Sequence, residues 1–399
     1  MTSASGKLAA GRELPAVFMD DQAFLMQPAG GISRYFCMLA EEQARTQRIH
    51  VHLFGGISAN LHLHEISANP FLHPTRCRRR DRWRINALLA RISRVWRRRT
   101  FAAVRRHFPR VVYHPSFYAV DPWIAARADA TVVTFFDMIP EWLAQQAPTE
   151  RPSRLLAQKR TAARQAQAIL AISHATRADV LKFYPELRAP IVVTHLASRL
   201  DAIAKTPGPV SAPLFPQRYF LMVGNRHGYK NGLTVLRAFA QLATNTDVEL
   251  IAFGGEPLSA DERVVLQENQ AALRWRQVSG NDQLLAAYYG HAIGLVYPSS
   301  YEGFGLPILE AMQLGCPVIT AANSSLPEVG GDAAIYVNPD NISELAGAMS
   351  RLLETEDYRK DLIIRGRKQT ARFSWEETAR LTLEAYLSSL DRQHERAAS

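Results

Sequence analysis

Short apolar runs recur along the whole chain, separated by roughly 10–20 residues with helical spacing. In the first half the runs predict strands at Val17–Met19, Ile49–Phe54, Val111–Tyr113, Thr131–Phe135, Ala168–Ile172 and Ile191–Val193. In the second half they predict strands at Tyr219–Val223, Glu249–Phe253, Arg274–Val278, Gly294–Tyr297, Val318–Thr320 and Ile335–Val337. The runs do not alternate apolar with polar, so both faces of each strand are covered. Strands of that kind alternating with helices imply α/β architecture, with parallel sheets flanked by helices. Residues 201–216 carry Pro207, Gly208, Pro209, Pro213 and Pro216 with little periodicity, which is linker chemistry. The expectation is two doubly wound, Rossmann-like domains, 15–205 and 217–374, facing across a cleft. A last helix, 375–390, opens on the capping pattern Ser374/Glu377 and continues through Leu381, Leu383, Ala385 and Leu387.

Composition narrows this further. A length of 399 residues suits two or three domains, and 47% hydrophobic with 21% charged residues is globular. Cys37, Cys77 and Cys316 lie far apart, which excludes a disulfide framework and a CxxC metal knuckle and fits a reducing compartment. The opening residues lack the apolar core of a secretory signal, and no run of 18 apolar residues exists to span a bilayer. A cytoplasmic protein is expected. The net charge is +10, but residues 76–110 hold fourteen Arg against Asp81 alone, so the remainder is slightly acidic. The protein is near neutral with one basic insert, which disfavours a nucleic-acid binder despite the basic total; no recognition motif for nucleic acid is present either.

Within that insert Ile85, Leu88, Leu89, Ile92, Val95 and Trp96 follow 3–4 spacing, with Trp83 near one end and Arg82, Arg84, Arg91, Arg94, Arg97, Arg98 and Arg99 around them. Two readings stand open. The helix docks on an anionic membrane surface, peripherally, or it packs its apolar stripe on the first domain and leaves its Arg in solvent.

The residues with the clearest chemistry follow strands, where ligands bind in such sheets. After Tyr297 comes SSYEGFGLPILEAMQLGCPVITAANSSLPEVGG (299–331). Gly303 and Gly305 admit close backbone approach, and Pro307 sits at a helix start, so a glycine loop leads into a helix N-terminus that favours anions. Glu302 and Glu310 are placed to accept hydrogen bonds from the paired hydroxyls of a sugar. After Val223 comes VGNRHGYKNG (223–232), whose Arg226 and Lys230 can neutralise a diphosphate. Gly254–Gly255 and Asn281–Asp282 also follow strands and can bring backbone amides to a base. In the first half, Gly30–Gly31 precede a helix, while Asp20, His114, Asp137 and Ser173–His174 stand at strand ends. His195 and the group His50, His52, His62 and His64 lack a completing carboxylate or Cys and read as structural or surface residues, with no metal site.

These residues carry a resemblance. EGFGLPILEAM (302–312), PEVGGDAA (327–334), VGNRHGYKNG (223–232), GGISRYF (30–36) and VTFFDMIPEW (133–142) make the chain similar to family 4 retaining glycosyltransferases of the GT-B fold over roughly residues 15–390. GGISRYF and YKN point to a subgroup. The resemblance implies that Glu310 binds ribose hydroxyls, Glu302 lies near the donor sugar, and Arg226 and Lys230 hold the diphosphate with Gly31, and Gly30 beside it, backing it. It also implies that Phe304, Gly305 and Leu306 present amides to phosphate or sugar, and that the last helix crosses back to the first domain. Gly254 and Asp282 complete the donor-side candidates; Glu302, Arg226, Lys230 and Asp137 are the candidate catalytic residues; Asp20, His114 and Ser173 are placed on the acceptor side. Many members carry His-Asp where this chain has Phe136–Asp137, which removes a His base at that position. A front-side retaining mechanism needs none, because the leaving phosphate takes the acceptor proton. No cofactor or metal is expected. The partners implied are a nucleotide-sugar donor, GDP-mannose ahead of UDP-hexoses, and a glycan or lipid-linked acceptor of cell-surface polysaccharide or lipopolysaccharide assembly. Sugar-nucleotide epimerisation and binding without transfer are the alternatives.

Overall fold

The computed structural model of the chain describes residues 14–26, 30–58, 60–66, 69–78, 87–147, 153–205, 218–243, 247–269 and 274–398. Most of the proline-rich segment, residues 206–217, and part of the basic insert, residues 79–86, lie outside them. The chain forms two compact units. The first holds the chain up to Ile172, Thr176–Leu196 and the chain from Trp375 onward; the second holds Ser173–Ala175 and Ala197–Ser374.

The first unit contains β1 (Ala16–Met19), β2 (His50–Ser58), β3 (Leu72–Arg78), β4 (Val111–His114), β5 (Ala130–Phe135), β6 (Ala168–Ala171) and β7 (Ile191–Val193). They form a parallel sheet in the order β3-β2-β1-β4-β5-β6-β7. β1, β4, β5 and β6 are buried throughout, as their unbroken apolar runs require. β3 was not expected. Its sequence, LHPTRCR, is polar and carries Pro74, which a sheet tolerates at an edge. Helix Trp375–Ala398 packs within this unit: Gln43 Nε2 donates to Ala379 O (2.6 Å) and Thr378 Oγ1 to His195 O (2.5 Å).

The second unit contains β8 (Tyr219–Val223), β9 (Glu249–Phe253), β10 (Trp275–Val278), β11 (Gly294–Tyr297), β12 (Val318–Ala321) and β13 (Ala334–Val337). These are also parallel, in the order β10-β9-β8-β11-β12-β13. Phe220, Leu236, Phe239, Ile319 and Met349 are among the fully buried side chains of its core, each contributing roughly 1.5–3 kcal/mol. In both sheets the winding reverses beside the first strand, at β1/β4 and at β8/β11, where open α/β sheets form their ligand crevices. The unit boundary falls at Leu196/Ala197, not at 205, because helix Leu200–Lys205 packs on helices Asp282–His291 and Leu306–Gln313.

The described part of the basic insert is helix Ala87–His107. Of the described side chains of the apolar stripe, Trp96 turns inward and Ile92 and Val95 do not; those of Ile85, Leu88 and Leu89 lie outside the described ones. Ile92 and Val95 are 46% and 52% exposed. Facing the sheet are Ser93, Phe101 and Val104, with the Trp96 ring 5.1 Å from that of Phe54. Arg97 points in and pairs with Asp21 (2.7 Å) and Asp121 (3.3 Å), close to Asp20 (3.9 Å), while Arg98 adds a two-pronged contact to Asp121. An inward stripe with all Arg in solvent is therefore not what forms. Three buried carboxylates required countercharges, and this helix supplies them. Burial raises the Asp21 pKa despite Arg97; Asp121, though burial opposes it, is held below its usual range by Arg98 and Arg97.

Candidate active site

In the second unit, β8 and β11 are hydrogen-bonded neighbours, so the loops that follow them emerge side by side. They are stitched together. Ser300 N donates to Tyr229 O (2.7 Å), and Asn231 Nδ2 donates to Pro298 O (2.8 Å) and Ser300 Oγ (2.7 Å). Asn231 can do this because it sits in the left-handed region (φ 58°), which Asn enters more readily than most residues.

This stitching presents Lys230 to Glu302. Nζ lies 2.5 Å from Oε1, and the Tyr297 hydroxyl joins them, 2.5 Å from the same oxygen and 3.2 Å from Nζ. Burial and the Glu302 carboxylate push the Tyr297 pKa well above its ordinary value, so the phenol keeps its proton and donates. Glu302 N donates to Ser324 Oγ (2.9 Å), and Ser325 Oγ bonds Glu302 O and Phe304 O, which fixes the loop from below. The loop ends at Gly305, whose φ of 106° and 3.1 Å approach of a would-be Cβ to Leu326 demand glycine. Helix Leu306–Gln313 starts there, with Leu306 and Pro307 half-buried. Phe304 is buried against Phe373. Glu310, in the second turn, accepts from Tyr289 OH (3.1 Å). An ammonium and a helix N-terminus thus stand together with two carboxylates, a set able to hold an anion and bind hydroxyls.

Arg226 departs from its expected place. It is 2% exposed, and Nε meets Glu262 (3.3 Å), Nη2 Glu256 O (2.8 Å) and Nη1 Gly254 O (3.4 Å), with its guanidinium over the Trp275 ring. Glu262 caps helix Ala260–Glu268 through a capping box with Ser259 and also meets His227 Nε2 (3.2 Å). Burial works against its charge, but the Ser259 amide, Arg226 and His227 hold the Glu262 pKa below normal. Arg226 is thus an internal tie joining the β8 loop to the β9 loop. Gly254 serves that tie with its carbonyl. At Gly255 a Cβ would lie 2.3 Å from Gly224 O. Asp282 is half-buried behind the cap Asn281.

Ser173 groups with the second unit, not the first. Its hydroxyl donates to Gly303 O (2.7 Å), and Glu328 accepts from His174 N (2.9 Å).

In the first unit the strand-end polar residues are core. His114 is fully buried between Tyr386 OH (2.6 Å) and Thr134 Oγ1 (2.9 Å), and burial pushes its pKa down to about 3. Asp20, also fully buried, accepts from Tyr113 OH (2.7 Å), Ser116 N and Oγ (2.9 Å each) and Gln22 Nε2 (2.7 Å). Neither presents a polar group to an acceptor, which corrects their placement. Phe136 fills an aromatic cluster with Tyr35 and Phe36. Asp137 remains partly exposed; its Oδ1 accepts from Ile139 N (3.0 Å), while its carbonyl accepts from Lys159 Nζ (2.8 Å), a fully buried ammonium paired with Glu141 (2.6 Å). Gly30 and Gly31 start helix Gly31–Arg45, with Gly31 exposed. Of the His residues grouped from sequence, His50 and His52 meet His73 instead, stacked across β2 and β3.

Sequence reasoning missed Tyr297, Asn231, Glu262 and Lys159. Ser259-x-x-Glu262 was a readable capping box, and Asn before Gly232 a readable left-handed position. Nothing local marked Tyr297 or Lys159.

Residues 213–369 match the family described as glycosyl transferases group 1, and residues 29–197 match Glycosyltransferase Family 4. The O-antigen chain mannosyltransferase B of Escherichia coli is 31% identical over 75% of this chain and 80% of its own length. Sucrose-phosphate synthase from Thermosynechococcus elongatus superposes with a TM-score of 0.68 at 20% identity, covering 97% of this chain and all of that one. WaaG, a glycosyltransferase involved in lipopolysaccharide biosynthesis, gives 0.64 at 16% identity, covering 92% and 97%. The two solved structures share the GT-B fold with this chain, and the sequence matches establish that the chain belongs to the family 4 glycosyltransferases.

Proposed function

We propose that this glycosyltransferase moves a hexose with retention, mannose from GDP-mannose first among the candidates, onto a glycan or lipid-linked acceptor in cell-surface polysaccharide assembly. The observation that carries the reading is the Lys230–Glu302 pair at the β8/β11 switch, beside the helix that begins at Leu306. The name of the Escherichia coli relative supports mannose and a polysaccharide product. In this reading the donor diphosphate lies against Lys230 and the amides at Gly305–Leu306, and Glu310 takes the ribose hydroxyls. Glu302 lies by the sugar. The C1–O bond to the diphosphate breaks on the face where the acceptor oxygen attacks. The departing phosphate oxygen receives the acceptor proton, and Lys230 with the helix N-terminus offsets its charge. Charge stabilisation then comes from the protein, and no metal is required.

The test is transfer from GDP-mannose and UDP-glucose to a synthetic lipid-linked acceptor, with the product anomer read by NMR. An α-linked product from an α-donor, formed equally in EDTA, is expected. No transfer from any nucleotide hexose would overturn the reading, and a β-linked product would overturn retention.

The same reading places the enzyme on an anionic membrane surface through helix Ala87–His107. Although Arg97 and Arg98 are paired internally, Arg91, Arg94 and Arg99 are exposed beside Ile92 and Val95. Sedimentation with vesicles containing phosphatidylglycerol, lost in high salt and in Ile92→Ser/Val95→Ser, is expected. Equal recovery of wild type and variant would contradict this part.

A further inference from the structure

Tyr297 is the last residue of β11, 8% exposed, and its ring lies 5.5 Å from Lys230 Nζ. Glu302 Oε1 receives the ammonium and the phenol together, each at 2.5 Å. The two donors differ in freedom. The phenol has two side-chain torsions and is fixed at a strand end. The ammonium rides on a four-carbon stem and is 17% exposed. An anion arriving from solvent therefore draws the ammonium and leaves the phenol in place. Without the phenol, that movement would strip a donor from a carboxylate that is only 8% exposed, which is unfavourable for a buried charge.

We infer that Tyr297 is a positioning residue for glycosyl transfer: its hydroxyl keeps the Glu302 carboxylate hydrogen-bonded and in place when Lys230 turns to the donor diphosphate. The lysine can then neutralise the leaving group without leaving Glu302 unsatisfied. This rests on the donor-site reading above.

The experiment compares wild type, Tyr297→Phe, Lys230→Ala and the double variant in nucleotide-release kinetics, with thermal unfolding of each. Removing a hydrogen bond to a charged group predicts that Tyr297→Phe lowers kcat about tenfold or more, with donor KM within about threefold. In the Lys230→Ala background the Tyr297 change costs less than about threefold, since there is no lysine left to release. Unchanged kcat in a folded Tyr297→Phe would overturn the inference. So would an equal loss in the wild-type and Lys230→Ala backgrounds with a lowered melting temperature, which is the mark of lost packing. Absence of turnover in the wild type with every nucleotide hexose would instead reject the donor-site reading, and the inference with it.

Discussion

The two switch points of this enzyme occupy the same topological place and differ in what fills them. At β8/β11 the strand ends deliver Lys230, Glu302 and Tyr297 to a cluster that solvent partly reaches. At β1/β4 they deliver Asp20, Tyr113 and His114, which are fully buried and joined to Ser116, Thr134 and Tyr386. The difference lies in what closes over each. Tyr386, from the final helix, and Arg97, from the basic helix, both reach into the first unit's strand ends. A polar residue after a parallel strand is therefore a site candidate only if no later segment of the chain caps it.

Three experiments sharpen that contrast. Lys230→Ala is expected to lower kcat/KM by about a hundredfold or more with little change in melting temperature, since in the proposed mechanism this partly exposed lysine offsets the leaving-group charge. His114→Ala should do the reverse. It leaves Tyr386 OH and Thr134 Oγ1 without their partner in the core and costs roughly 2–4 kcal/mol by urea unfolding, with turnover per folded molecule nearly unchanged. A large loss of turnover in folded His114→Ala would erase the distinction.

The smallest effect is the pH dependence of stability. Burial holds the folded-state pKa of both His52 and His114 at about 3, against 6.5 for the ordinary imidazole. The unfolded chain therefore binds the protons. The stabilisation is complete above about pH 6.5 and is lost as pH falls toward 3. At pH 5 each residue forfeits up to about 2 kcal/mol. Urea unfolding at pH 7.5 and pH 5 measures the total, and His114→Phe should flatten the slope by about half. An unchanged slope would contradict the assignment of His114 as a neutral core residue.

β1, β4, β5, β6, β11 and β12 were legible because both of their faces are buried, which writes an unbroken apolar run into the sequence. β3 was not, because an edge strand tolerates Pro74 and polar residues. The loop from Glu302 to Glu310 was legible for a local reason: a left-handed glycine and a proline at the helix start are required by backbone geometry. Arg226 and Lys230 looked alike in sequence, and only packing separates them. Glu262 and Trp275, distant in the chain, claim the first. The basic helix was undecided in the same way. Its periodicity left Ile92 and Val95 either on a membrane surface or in the interior; they are exposed, and Arg97 turns inward to Asp20, Asp21 and Asp121 instead.

In the proposed reading the second unit holds the donor nucleotide at Glu310 and the loops beside it. Thermal unfolding with GDP, UDP, ADP and TDP and their common hexose conjugates, for wild type and Glu310→Ala, tests it most directly. A nucleotide at a hundred times its dissociation constant adds about 2.7 kcal/mol of stability. A clear upward shift with one nucleotide class, guanosine first, is expected, and its loss in Glu310→Ala. A shift that survives Glu310→Ala unchanged, or no shift with any nucleotide, would contradict it.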